Sequence, residues 1–442
     1  MENGPSDPSI RNGDALHRNK CWRAFSKGEC SASDRDGMIP TGTPCLQYIT
    51  PLWGAEYVRL FGEAVLPALF SDGNLGAIAP HPENVYEIYS TREDFAVLSK
   101  MPAFELLTDR VAVKFHSIDG MIRPNSYQTM SICHRIAVTA AELNDRTAVF
   151  LPPDALWSDG SLRRMLQILV EGKQVVLVSG FRVRREPFLD EVRSQDEESA
   201  GIISISPREL VRIGLRHMHP RSQSLMWNSP IFSSYCPHLY WPVGEDGLYA
   251  HCAHAHPLAV RPRIRGKSFD QTIDWNYFSL ACPDPEDWYF VRDSDDICVV
   301  DLCADSDGGP TPAPRKASVE KVINWAEHST TAAHRHQFHQ PVRFHGSDIE
   351  IGAWTIVEDE ADRIVAQTVA QLRHSSLHLL IHDPERLKAR TLGRLNRVRE
   401  TLSGRRQSSR MGACCYYLFE AVFGLALRLR RTARSQFSRR LI

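Results

Sequence analysis

The sequence predicts an α/β fold, a mostly parallel β-sheet flanked by helices, with a helical C-terminal segment. Three observations predict it. Short apolar runs alternate with stretches of helical periodicity four times between residues 47 and 178, the pattern of successive βαβ units. The run at 148–151, Ala-Val-Phe-Leu, is apolar throughout, as a strand covered on both faces requires. Leu162, Met165, Leu166, Leu169 and Val170 then recur at i, i+3, i+4, i+7 and i+8, one buried stripe of a helix.

Taken in order, residues 1–44 are rich in Gly, Ser, Asp and Pro and read as a tail or cap that touches the core through Trp22 and Phe25. The α/β domain is expected over 45–305. A β-prone run at 47–52 is broken by Trp53-Gly54. Val58, Phe61, Val65 and Leu69 follow at helical spacing, and Pro67 predicts a kink or an early stop. Residues 71–74, Ser-Asp-Gly-Asn, form a turn. Strands are expected at 86–89 and 111–115 with a helix at 94–98 between them. A helix at 125–143 offers Tyr127, Met130, Ala137 and Ala141 for burial. Ser158 or Asp159 can cap the helix at 162–170, Gly172 can end it, and a strand returns at 175–178. Residues 191–201 read as an acidic loop, and from Pro207 a helix carries Leu210, Ile213 and Leu215 toward His217 and His219. Residues 306–318 are a linker by composition, 319–383 an accessory helix–strand segment, and 384–442 a basic helical end.

Composition narrows the function classes. Hydrophobic residues make up 43% and charged residues 24% of the 442, as in globular proteins. A formal net charge of -1 gives no overall pull toward nucleic acid, which is not an expected partner. Eleven cysteines without a CxxC pair argue against a zinc ribbon or thioredoxin-like site and fit reduced thiols of a cytoplasmic protein. The first fourteen residues contain no apolar core of a secretory signal, and no run of eighteen apolar residues occurs. The stretch 411–427 is apolar apart from Glu420 and is followed by Arg428, Arg430 and Arg431. It reads either as a helix lying peripherally on an anionic membrane or as one docked on the protein or a second subunit. No GxGxxG, P-loop, HExxH or GxSxG signature is present.

Three groups of residues could carry chemistry. Asp154 follows the apolar strand at 148–151 within Pro152-Pro153-Asp154, where ligands of open α/β sheets bind. A carboxylate there suits a hard cation, although a plain turn would also use Asp154, and Asp159 is accounted for as a helix cap. His251, His254 and His256 fall within six residues. On a strand, His254 and His256 would share one face, as general acids or bases, metal ligands or simply hydrogen-bonded core imidazoles. Asp270 and Asp274 lie among Trp227, Tyr240, Trp241, Trp275 and Tyr277, whose faces can hold sugar rings or pack the core. A second acidic run, 293–296, reads as a turn at a strand end. His334, His336, His339 and His345 could bind metal but read as a surface loop, and Cys133-His134 as helix neighbours pointing apart.

In sequence order, Trp53-Gly54, the turn at 71–75, Pro152-Pro153-Asp154, Ser158-Asp159-Gly160, His254 to Pro257 and Thr272 to Asp274 resemble bacterial glycosyltransferase-like proteins with a GT-A-type fold, over roughly residues 45–305. The resemblance implies a nucleotide-sugar donor, a hydroxyl acceptor and a divalent cation, Mn²⁺ or Mg²⁺, on the donor diphosphate. It implies Asp154 and His254 or His256 as metal ligands, and Trp53, Ser158 and Asp159 on the donor. Asp274, with Asp270 beside it, would activate the acceptor hydroxyl. The family's Asp-x-Asp is replaced here by Pro152-Pro153-Asp154, so one carboxylate is missing. Two other readings stand beside this one: a non-catalytic carbohydrate- or partner-binding protein on the same scaffold, and a metal hydrolase centred on His251, His254 and His256.

Overall fold

The computed structural model describes residues 43–76, 78, 83–194, 201–269, 271–307 and 316–372. The expected N-terminal cap, the core of the linker, the helical C-terminal end and Asp270 therefore lie outside the described residues.

Among the described residues, thirteen strands form three sheets. In chain order the first seven are β1 (Leu46–Pro51), β2 (Val85–Ser90), β3 (Ala112–Ser117), β4 (Thr147–Phe150), β5 (Ala155–Trp157), β6 (Val175–Val178) and β7 (Phe181–Arg184). They are followed by β8 (His238–Val243), β9 (Gly247–Cys252), β10 (His256–Val260), β11 (Trp288–Phe290), β12 (Val299–Cys303) and β13 (Pro341–His345). The central sheet has the order β11-β6-β10-β4-β1-β2-β3. Every pairing within it is parallel except those of β10, which runs antiparallel to β4 and β6. A mixed α/β architecture with a mainly parallel, helix-flanked sheet is thus what the sequence folds into.

Alternation between two cores explains the largely apolar composition of β4 and β6. Tyr48, Val149, Leu151, Val176 and Val178 enter one core, while Ile49, Ala148, Phe150, Val175 and Leu177 enter the other. Both faces are covered, and the buried Gln47 Nε2 donates to Glu87 (3.1 Å) and to Ala137 O (2.8 Å). The helix Ser126–Leu143 buries Thr129, Cys133, Ala137, Val138 and Ala141. Tyr127 and Met130, expected inside, are 59% exposed and half-buried respectively, because the first turn of this helix opens onto a cavity.

Two local expectations change. Pro67 does not stop its helix: Ala55–Leu60 runs through a π turn, Phe61–Val65, into Leu66–Leu69. The proline falls in the first turn of that last segment, where its missing N–H costs least. The helix Ser161–Val170 is not capped by Ser158 or Asp159; its N-cap is Gly160, left-handed at φ 87°. The turn at 71–74 takes over from a distance. Asn74 Oδ1 accepts from Leu162 N (3.0 Å), Asn74 Nδ2 donates to Ser158 O (3.1 Å), and Arg163 N donates to Gly73 O (3.1 Å). Two turns that look alike in sequence are thereby locked together.

The two smaller sheets extend this core. One, β5-β12-β7, lies directly beyond β4; the other, β13-β9-β8, is antiparallel. Strand β13 and the helix Ile351–Gln371 join residues 319–372 to β8 and β9. No helix among the described residues is long and apolar enough to cross a membrane.

Candidate functional site

From β1 the chain proceeds to β2 and β3 on one side, and β4 then pairs on the other side of β1. The point between β1 and β4 is where strand order reverses, and the crevice beyond the strand ends there is the natural ligand site. Pro51 and Trp53 leave the end of β1, and Leu151 to Asp154 leave the end of β4. All of them line one cavity of about 1770 Å³. The same cavity is lined by His254, His256 and Asp274. Five sequence candidates spread over more than two hundred residues are therefore brought to one space.

One end of the cavity is acidic. Asp154 directly precedes β5, and its carbonyl accepts from Leu302 N at 2.8 Å. Asp301 on β12 stands opposite Ala155, and Arg182 on β7 is its register partner on the other side. Burial, and then the neighbouring Asp301 charge, push Asp154 up to about 6, with Arg182 opposing. Arg182 is largely enclosed, which works against its charge, but Asp301 keeps the guanidinium well above its ordinary value. Arg182 Nη1 donates to Cys303 Sγ at 3.6 Å, and the residue lines the cavity.

The other end is a nest of imidazoles and aromatic rings. His254 precedes β10 and His256 begins it, so they do not share one strand face. His254 Nε2 donates to Ser329 O (2.9 Å) and His256 Nε2 to Phe150 O (3.0 Å). Burial lowers both, partly offset by Asp274, so each is a neutral ring whose Nδ1 remains an acceptor. His134, on the helix Ser126–Leu143, is pushed down to about 3 by burial and by His256. His254 lies 4.3 Å, centroid to centroid, from His334, which is fully buried on the helix Ala332–Phe338 rather than in a surface loop. His334 Nε2 donates to the Asp274 carbonyl at 3.1 Å. That contact fixes the first turn of the helix Ile273–Ala281, which carries the Asp274 side chain.

Several candidates are placed elsewhere. Among the described residues no three His, Cys, Asp or Glu side chains are grouped closely enough to hold a metal ion. Asp154, His254 and His256 share a cavity, but they do not form a metal centre by themselves. Ser158 does not reach the cavity; its hydroxyl pairs with Ser161 at 2.9 Å. Asp159 accepts from Gly73 N at 2.6 Å, a structural tie in place of the expected donor contact. His251 is buried away from the cavity, with Nδ1 on Phe338 O (2.9 Å) and Nε2 on Asp362 (2.8 Å), so three imidazoles do not converge. The run 293–296 is a turn tied by ion pairs to His345, Arg208 and Arg164. Conversely, Asp301 and Arg182 line the cavity without having stood out in the sequence, and His134, set aside there as a helix neighbour of Cys133, lines it too.

No family model and no curated protein matches the chain. Among solved structures, mouse xyloside xylosyltransferase 1 in its apo form is similar at 13% identity over 35% of this chain, with a TM-score of 0.22. This chain spans about 60% of that protein's length. The mannosyltransferase PcManGT from Pyrobaculum calidifontis, solved in complex with GDP-Man and Mn²⁺, is similar at 12% identity, with a TM-score of 0.28. That alignment covers 94% of this chain and 93% of the mannosyltransferase. Both solved proteins are sugar transferases, and likenesses at these scores support no functional reading of this chain by themselves.

Proposed function

We propose that this chain transfers a sugar from a nucleotide-sugar donor to a hydroxyl acceptor within the cavity at the β1–β4 switch point. The observation that carries this reading is the meeting of Trp53, Asp154, Asp301, Arg182 and Asp274 around one space at the strand ends. In the reaction the acceptor oxygen forms a bond to the anomeric carbon while the bond from that carbon to the donor diphosphate breaks. The electron pair leaves with the diphosphate, and the acceptor proton passes to the Asp274 carboxylate. Trp53 offers a flat apolar face to the donor at the end of β1. The Arg182 fork suits the phosphate oxygens, on which negative charge builds as the bond breaks.

The divalent cation, Mn²⁺ or Mg²⁺, fits a different set from the one expected. Asp154 and Asp301 are hard-oxygen ligands that both line the cavity, and two carboxylates plus substrate phosphates are an ordinary Mg²⁺ set. Such an ion would supply positive charge to the leaving diphosphate. On this reading Asp301 would supply the second carboxylate, from another strand. The test is a thermal-shift and calorimetric panel of UDP, GDP, ADP and their sugars, with EDTA or with Mn²⁺, followed by assay of nucleoside diphosphate release. Stabilisation by one nucleotide class and its release on incubation with acceptor is expected. No stabilisation in any combination sinks the proposal.

A further inference from the structure

Three large aromatic side chains stay exposed among the described residues: Tyr57 (41%), Tyr127 (59%) and Tyr235 (54%). All three line the cavity at the switch point. Scattered exposed apolar residues are commonplace and need no explanation, but the remaining exposed large side chains are aliphatic and none of them lines this space. The tyrosines come from three unrelated segments: the helix Ala55–Leu60, the first turn of Ser126–Leu143, and the loop before β8.

Their surroundings divide them. Tyr57 stands at the acidic end, where burial and then Asp154 raise its phenol to about 12. Tyr235 stands at the other end: after burial, Asp274 is the strongest influence on its phenol and Tyr127 the next. Its ring meets Trp325 edge-on at 5.9 Å, and Trp325 in turn packs on His254. Tyr127, Tyr235 and Asp274 all line the one cavity, so two exposed rings share a space with the carboxylate that would take the acceptor proton. The cavity volume of about 1770 Å³ exceeds the roughly 300–1,000 Å³ that one small ligand occupies. Space remains for a second, extended substrate.

Resting on the transfer reading above, we infer that the acceptor is an oligosaccharide of two or more sugar units, whose rings stack on Tyr127 and Tyr235 and whose terminal hydroxyl reaches Asp274. A pyranose presents an apolar C–H face and a hydroxyl-bearing edge, and a phenol matches both, with a flat apolar face and a polar tip. A single sugar would not cover both rings, so affinity should grow with chain length.

The experiment is calorimetry of the full chain, with saturating nucleoside diphosphate, against mono-, di-, tri- and tetrasaccharides built on glucose, galactose, mannose and N-acetylglucosamine. One series is expected to bind, with the tetrasaccharide at least about 10-fold tighter than its monosaccharide. Tyr235→Ala and Tyr127→Ala should each lose about 10-fold on the longer ligands, and Tyr235→Trp should regain most of the loss. Wild-type melting temperatures in these variants show that folding is intact, since truncation of an exposed side chain changes stability little. Binding of a nucleotide but of no saccharide, binding independent of chain length, or a tyrosine effect on the nucleotide alone overturns this inference while the transfer reading stands. Tyrosine-dependent saccharide binding without any nucleotide binding leaves the carbohydrate assignment and removes the transfer reading.

Discussion

Replacing Asp154 by Asn should stabilise the folded protein at neutral pH and do much less in acid. The ordinary value for the group is 3.8, and the fold holds it at about 6. Below 3.8 the side chain is protonated whether the chain is folded or not, and ionisation contributes nothing. Between 3.8 and 6 the unfolded chain ionises first, so the folded state loses ground as pH rises. Above 6 the loss is complete, at roughly 3 kcal/mol from about 1.4 kcal/mol per pH unit. Water in the cavity screens the carboxylate, and about 2 kcal/mol is the safer figure. In a chain of 442 residues that raises the melting temperature by roughly 2 °C near pH 7.5. Only about a fifth of the gain should remain near pH 4. Calorimetric melts of wild type and Asp154→Asn at several pH values measure it. An equal gain at every pH, or a loss near pH 7.5, would refute the reasoning, because it would mean that Arg182 or another cation already favours the ionised carboxylate.

Three further outcomes are expected. Arg182→Gln should weaken nucleoside diphosphate binding by at least about 10-fold in calorimetry, with Arg182→Lys between it and wild type, because a point charge replaces a two-toothed fork. Gly73→Ala should destabilise by about 1–3 kcal/mol in denaturant titration, since a Cβ there runs into the backbone N and Cα of Gly160. Asp362→Ala should loosen the helix Ile351–Gln371, read as faster amide exchange, because Tyr249 (2.9 Å) and His251 (2.8 Å) both lose their acceptor. The hydrogen bonds to His251 and Tyr249 outweigh burial and hold Asp362 below its ordinary 3.8. The stability that Asp362 lends is therefore present above 3.8 and is lost as pH falls through the depressed folded value.

What could be seen in advance was whatever neighbouring residues determine. The strand at Val175–Val178 and the helix Ser161–Val170 were legible because their burial follows a local period. The rim position of Asp154 was legible because a fully apolar run implies a central strand and hence a strand end. The capping of Ser161–Val170 by Asn74 was not legible, since the partner of Leu162 lies 88 residues away and Ser158 and Asp159 offered a local solution. Arg182 sits in Phe-Arg-Val-Arg, an alternation that reads as a solvent face; only the pairing of β7 with β12 turns it toward the cavity. Asp301, inside Val-Val-Asp-Leu-Cys, did carry a signal, a lone acid interrupting an apolar strand. The histidines at 334 and 336 looked like loop because Thr331, which closes a capping box with His334, stands in an otherwise weakly periodic stretch.

The reversal of β10 has an evolutionary side. Among strands that all point the same way, only residues that follow a strand can arrive at the ligand-binding edge, and they are tied to the helix that comes next. His256 pairs with Val178 at that edge because its strand departs from it instead of arriving. The short connection from Cys252 to His256 can therefore change sequence, length or chemistry while every crossover of the scaffold stays as it is. It gives the protein a place to alter what it recognises without rebuilding what holds it together.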